Sequence, residues 1–486
     1  MNSYKRAAAA LALALIGAGC SDFLAGFSEN PNNPTTGTPL QQYVAMQANM
    51  ATRMEGQLAR CADVFVQQMT GSNNQQLQFC TQYGVQEGDI SGQMSAFYTG
   101  GGLLGLRNIE AAAQASGDNF LLGMAKVWEG LAIGTATSVW GDLPYSEAVN
   151  AAIELPHLDT QANIYAAVQQ RLDEGIAAFQ LAAVGATGNC VPAEGDLIYC
   201  ATAGSRATEI ARWIRAAYTL KARFHLHLVE RNGVGEYTLA LAAAQNGISD
   251  VPTGAASATQ AMHGQAPGDF RFFHGAVQDF DANIWAEFLQ QRQDLVAGNV
   301  LVQILKARSD PRLAAYFDAN SAGQFVGSNQ NNVAVPAGGS STPSVVNVSV
   351  RRQFTFRQPE VTWAENQLIL AEAKFKTGDS AGAAVNVNAV RAAVGLAALL
   401  APTFVDVMTE KYIAMFQNID VWSDYKRTCI PTLTPFGTPA APEVLGRMPY
   451  GSAERTANPN IPLPSAYPAG TSGSSPVRNW NDPNPC

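Results

Sequence analysis

Charge is scarce in this chain: Asp, Glu, Lys and Arg make up only 14% of 486 residues, and 39 acids against 30 bases leave a net charge of −9. With no positive excess there is no basic field to gather phosphates, which argues against nucleic acid as a partner. Low charge also argues against a coiled coil. A hydrophobic content of 47% argues against disorder, because that much apolar surface offsets the entropy of ordering. No C-x-x-C pair occurs, which removes the signal for a structural zinc site or redox motif; neither metal nor cofactor is expected. G-x-S-x-G, H-E-x-x-H and Walker sequences are absent too. No stretch reaches the roughly eighteen consecutive apolar residues of a membrane helix.

What is present begins with Lys5 and Arg6, followed by an apolar run from Ala7 to Ala18 that is too short to span a bilayer. Residues 1–19 therefore read as a signal peptide. The run ends in Ile16-Gly17-Ala18-Gly19-Cys20, which resembles a bacterial lipobox although Gly17 stands where Leu is usual. Cys20 is expected to carry lipid, the alternative being ordinary cleavage with a free thiol. Residues 20–40, rich in Asn, Pro, Gly and Thr, then form the anchor and tether, and 41–486 a single body. Six further cysteines, an even count in an exported chain, predict three disulfides. The pairings closest in sequence are Cys61 with Cys80, Cys190 with Cys200 and Cys429 with Cys486; buried free thiols are the alternative.

The body reads as mainly helical, all-α in class. Met46, Met50, Met54 and Leu58 recur every four residues, and Ile210, Trp213, Ala217, Leu220, Phe224 and Leu228 follow spacings of three and four, so each set makes one apolar stripe. Val361 to Phe375 repeats the pattern, Gly378-Asp379 breaks it, and a second stretch from Ser380 to Ala393 completes a helix hairpin. Similar pairs join Phe120–Trp140 to Ala162–Val184, and Glu209–Glu230 to Tyr237–Asn246, so the expectation is an array of tetratricopeptide-like hairpins. Loop-rich insertions are expected near 71–92, 185–204 and 323–356. In the last, alternation at Val346, Val348 and Val350 predicts a small β element.

Several motifs have plain readings. Gly100-Gly101-Gly102-Leu103-Leu104-Gly105 fits G-x-G-x-x-G by letter, but no buried strand precedes it, so it reads as a helix start. His225 and His227 lie two apart on a helix and point to different sides, one at the core edge and one exposed. Asp279, Asp281 and Asn283 imitate the start of a calcium loop, but Ile284 and Gln290 occupy the positions that need Gly and Glu. A looser oxygen site is left open there, against the plainer reading of a helix approach. Binding a polyhydroxyl ligand needs aromatic faces for stacking and amides for hydroxyls. Asn73, Asn74, Gln75, Phe79 and Tyr83 combine them in one non-helical segment, and Phe272 and Phe273 add rings in another. Trp285 belongs to this set or to the core.

Ordered segments along the chain resemble the SusD/RagB family of nutrient-binding outer-membrane lipoproteins, in its SusD-like branch. They are Cys20 to Leu24 with Asn30-Pro31-Asn32, the run Trp140-Gly141-Asp142-Leu143-Pro144-Tyr145-Ser146-Glu147-Ala148, Trp213 to Arg223, Ser309 to Phe317, Gln367 to Ala373, and Glu410 to Arg427. The resemblance implies tetratricopeptide-like hairpins carrying an irregular ligand-binding part. It implies no enzymatic activity, but a surface-exposed, lipid-anchored protein that captures oligosaccharides or peptides for a TonB-dependent transporter of the SusC type. A secreted glycan hydrolase is the other reading, since two catalytic acids need not be neighbours in sequence.

If Cys20 is the anchor, Cys20→Ser should release the protein from membranes. Unchanged retention on fractionation, with no acyl mass on the native N-terminus, overturns the anchor.

Overall fold

The methionine stripe builds the first helix of a computed structural model that describes residues 37–81, 83–191, 195–329, 341–435, 444–463 and 478–486. The expected signal peptide, residues 1–19, and Cys20 lie outside these residues. Helix α1, Pro39–Met54, opens with a Thr38/Gln41 capping box and buries Met46, Met50 and Met54. The expected single stripe then divides. Glu55 ends α1, and Gly56 begins α2, Gln57–Phe65, so Leu58 belongs to a second helix. Gly100 to Gly102 lead into α3, Leu103–Ser116, as a helix start.

Four further helices follow: α4, Asn119–Trp140; α5, Gln161–Ala183; α6, Arg206–Leu226; and α7, Val234–Ala244. Close approach in this array depends on glycine. A Cβ at Gly123 would meet the Phe179 ring at 2.8 Å, one at Gly130 would meet Leu172 at 2.8 Å, and one at Gly134 would meet the Phe224 ring at 2.3 Å. These glycines on α4 therefore admit large side chains from α5 and α6 into van der Waals contact. Trp128, Phe179 and Trp213 fill the space between, with the Phe179 and Trp213 rings stacked at 5.8 Å. The run after Trp140 is a structural corner. Gly141 turns the chain at φ 79°, and the Asp159 carboxylate accepts from the Tyr145 and Ser146 amides at 2.9 and 2.7 Å.

Helices α8, Ile284–Gln291, and α9, Asn299–Ala307, precede the expected C-terminal hairpin, α10, Trp363–Lys376, and α11, Ser380–Ala393. Helices α12, Phe404–Ala414, and α13, Asp420–Thr428, complete the longer helices. Three small antiparallel ladders join distant segments. Strand β1, Met69–Gly71, pairs with β3, Leu295–Ala297; β2, Phe270–Arg271, pairs with β6, Pro359–Val361; and β4, Phe317–Asp318, pairs with β5, Val345–Val346. The fold is thus mainly helical, and one buried apolar cluster extends from Tyr43 to Ile461.

The β element near 346 is shorter than its alternation predicts. The Asp318 carboxylate accepts from the Val348 amide at 2.9 Å and from Asn347 Nδ2 at 3.1 Å, which ends the ladder and leaves Val348 exposed. The histidine reading is corrected as well, because neither ring is free in solvent. His225 Nδ1 lies 2.7 Å from Glu236, and buried His227 lies 3.0 Å from Asp420. The three disulfides in the structure join Cys61 to Cys80, Cys190 to Cys200 and Cys429 to Cys486. Among the described residues, no helix is long and apolar enough to cross a membrane.

Gly134→Ala should cost about 1 to 3 kcal/mol by overpacking against Phe224. Gly105→Ala, at a helical position with nothing within 4 Å of the added carbon, should instead be neutral or gain about 0.5 to 1 kcal/mol. Denaturant midpoints of the two variants measure the contrast, and equal effects would refute the glycine seam.

Candidate functional site

The β2–β6 ladder launches a loop whose side chains alternate between core and solvent. Phe270 and Phe272 turn inward, their rings 5.1 and 5.8 Å from that of Trp128. Phe273 turns outward, 45% exposed, with the Arg357 guanidinium 5.9 Å from its ring. The chain then doubles back. Gly275 N donates to Asp281 O at 2.8 Å, and Val277 N donates to Asp281 Oδ1 at 2.9 Å. Asn283 caps α8 through the Ala286 amide at 2.7 Å, so the calcium-like triplet serves as a turn and a helix approach. This closed base pushes the tip outward, where Phe280 is 87% exposed and Val277 58%.

Beside the loop, Ala276, Gln290, Val348, Arg352, Gln353, Phe354 and Thr355 line an open cleft of about 610 Å³. Gln290 Nε2 donates to Arg352 O at 2.7 Å, and Gln353 Nε2 donates to Val348 O at 2.7 Å. Both amides are thereby oriented, and their oxygens are available as acceptors. Arg352 is anchored through Nη2 to Leu289 O at 2.7 Å, and burial lowers its guanidinium pKa below the ordinary value. Among the described residues that line it, none is an acid. Aromatic faces beside fixed amides can stack on the C–H face of a sugar ring while accepting from its hydroxyls.

The residues proposed from sequence divide. Asn73, Asn74 and Gln75 are exposed on the turn before a π-helical segment, Gln76–Thr81, and Asn74 Nδ2 donates to Asp294 Oδ1 at 3.0 Å. Phe79 is half-buried against the core. Tyr83 is buried, its hydroxyl donating to Phe65 O at 3.1 Å, and Phe272 and Trp285 are buried as well. Those three rings pack in the core and present no face to a ligand. Phe273 remains, while Phe280 and Phe354 were missed. The available signal for Phe280 was a lone aromatic among polar residues in a segment without helical periodicity.

Two of the segments share one support. The Cys61–Cys80 disulfide bolts the π-helical segment to α2, and Glu55, at the corner before α2, lies 2.8 Å from His274 at the base of the 272–283 loop. Helix α2 and the corner before it thus hold both.

A SusD-like family model, described as starch-binding associating with outer membrane, matches residues 31–451. No curated protein matches the chain. Among solved structures, a chitin-binding protein of 20% identity superposes with a TM-score of 0.72, covering 92% of this chain and 100% of its own. A chitin-binding SusD homolog from Flavobacterium johnsoniae gives 0.71 at 16% identity, covering 91% and 98%. A SusD-like protein from Bacteroides thetaiotaomicron gives 0.69 at 16%, covering 90% and 98%. At these identities the superpositions establish a shared fold.

Burial separates platform from core in a measurable way. Phe272→Ala should cost about 3 to 5 kcal/mol of stability, as for a core ring. Phe280→Ala should stay within about 0.5 kcal/mol, as for a surface change. Denaturant unfolding checks both, and a large loss at Phe280 would place that ring in a packed environment.

Proposed function

The chain belongs to the SusD-like family, and from that premise we propose that it is a cell-surface lipoprotein that captures oligosaccharides and passes them, unaltered, to a TonB-dependent outer-membrane transporter. The observation carrying this reading is the pair of exposed rings, Phe273 and Phe280, on one loop beside an acid-free cleft furnished with Gln290 and Gln353. Residues 1–19 serve as the export signal, and 20–40, with lipid on Cys20, as the tether. The family's description as starch-binding, and chitin binding by two structural neighbours, make neutral glucans and N-acetylglucosamine polymers the first ligands to try.

Two close carboxylate pairs in the helical scaffold are taken up by internal partners. Glu110 and Glu129 approach each other from α3 and α4, but both are buried, Glu110 against Lys126 at 2.5 Å and Glu129 against the Tyr145 hydroxyl at 2.6 Å. Burial, with the neighbouring Glu129, pushes Glu110 up to about 8. Asp196 and Glu209 are likewise buried, bonded to Trp213 Nε1 at 2.9 Å and Arg206 at 2.6 Å. Neither pair lines the cleft.

Isothermal titration with maltohexaose, chitohexaose and a peptide mixture tests the ligand class. Phe273→Ala and Phe280→Ala should each weaken oligosaccharide binding by about 1 to 3 kcal/mol, roughly 5- to 150-fold. Binding unaffected by either change would move the site elsewhere. Shortened sugars after prolonged incubation would favour the hydrolase, and binding of peptides alone would replace the glycan.

A further inference from the structure

The loop bearing Phe273 and Phe280 is fastened at its base by one buried imidazole. His274 Nε2 lies 2.8 Å from Glu55 Oε1, with only 3% and 1% of the two side chains exposed. At the next residue the Gly275 amide donates to the backbone carbonyl of Asp281 at 2.8 Å, linking the two arms of the loop. The second Glu55 oxygen is 3.3 Å from Asn283 Nδ2, and Asn283 also donates to Phe356 O at 3.0 Å. A carboxylate taken this far out of water is best met by a charged partner, so the contact favours the imidazolium form and makes His274 and Glu55 a buried ion pair at the base of the loop.

We propose that His274 is a positioning residue for the ligand-binding face, a protonated clamp that holds Phe273 and the 277–280 tip in register and makes capture pH-dependent. This rests on the reading of that face as the glycan site. Deprotonation removes the cation of the pair and leaves Glu55 buried with only neutral donors, Asn283 among them, so the base of the loop loosens immediately beside Phe273.

Three charged groups face or adjoin the ring. Glu55 approaches from the corner between α1 and α2 and favours the proton. Arg357, on the segment entering β6, opposes it while also lying over Phe273. Asp281, within the loop, contributes its backbone carbonyl, and its carboxylate is engaged by the Val277 amide. Burial alone pulls the imidazole pKa down, but Glu55 and the Asp281 carbonyl outweigh it, and the folded value lies above the ordinary 6.5. The clamp is therefore complete below that ordinary value and is lost as pH rises through the raised one.

The test titrates wild-type protein with maltohexaose and chitohexaose at about pH 6 and about pH 9, and follows hydrogen exchange across residues 272–283, corrected for intrinsic rate. Affinity should fall about tenfold at the higher pH, with a parallel loss of loop protection. H274Q should remove the dependence, E55Q should shift it to lower pH, and H225Q, on a distant helix, should retain it. Affinity and protection that do not change with pH, or a wild-type dependence surviving in H274Q, overturn the clamp. If neither oligosaccharide binds, the glycan reading fails separately. Exchange then decides the clamp alone: protection that falls with pH in wild type but not in H274Q supports it. If H274Q does not fold, NMR titration of the wild-type imidazole decides, and a pKa at or below 6.5 overturns the proposal.

Discussion

The Arg223 guanidinium, 1% exposed, is the point at which the helical scaffold takes hold of the irregular part of the molecule. From α6 it donates through Nε and Nη2 to Glu365 at 2.6 and 2.7 Å, to the Glu360 carboxylate at 3.2 Å, and to the Glu360 carbonyl at 2.6 Å. Asp420 at the start of α13 lies 3.5 Å away. One side chain thus joins two helices of the array, the cap of α10 and strand β6. Burial pushes Glu360 up to about 8 even with Arg223 alongside. Such a cluster adds little net stability over an apolar equivalent, yet loss of one member strands the others at a cost of about 3 to 5 kcal/mol. Its effect is to fix geometry. Strand β6 pairs with β2, and β2 runs directly into the loop that carries Phe273 and Phe280.

The same device recurs where hairpins meet. Arg427 of α13 engages both Glu372 of α10 and Asp424, and Lys411 of α12 reaches Asp424 at 2.9 Å. Arg312 is held by Asp310 at 2.6 Å and by Glu410 of α12. A chain with few charges has placed many of them between helices, where directional hydrogen bonds set register that apolar packing alone leaves loose. The glycine seam on α4 acts in the other direction, removing bulk so that Phe179, Leu172 and Phe224 approach closely.

The helices were legible because their signals are local. The Met46, Met50 and Met54 stripe, the Gly378-Asp379 break and the cysteines nearest in sequence all report on short-range geometry, and the corresponding elements form where they indicate. Even so, the stripe could not show that Glu55 would leave the helix to meet His274, a partner 219 residues away. The same limit hid the site. Phe272 and Phe273 are indistinguishable by composition, and only the pairing of β2 with β6 decides which faces Trp128 and which faces solvent. Tyr83 and Trp285 look like stacking rings until distant elements cover them. Phe280 is exposed because hydrogen bonds from Gly275 and Val277 to Asp281 close the loop beneath it. None of those contacts has a periodic signature.

The placement of charge also shapes what the open face can hold. An acid in the cleft would have to surrender part of its hydration to a neutral ligand, and a desolvated, unpaired carboxylate is expensive. Amides already oriented by backbone carbonyls, as Gln290 and Gln353 are, give up less water and lose little side-chain freedom when a hydroxyl approaches. Exposed rings add contact area at a low entropic cost, since each has only two side-chain torsions to fix. Lys126, Arg206, Arg223 and Arg427 engage buried acids between the helices, and the cleft lining itself contains no carboxylate. The internal use of charge that fixes the helices and the uncharged acceptors of the proposed binding face are therefore two consequences of one economy of charged residues.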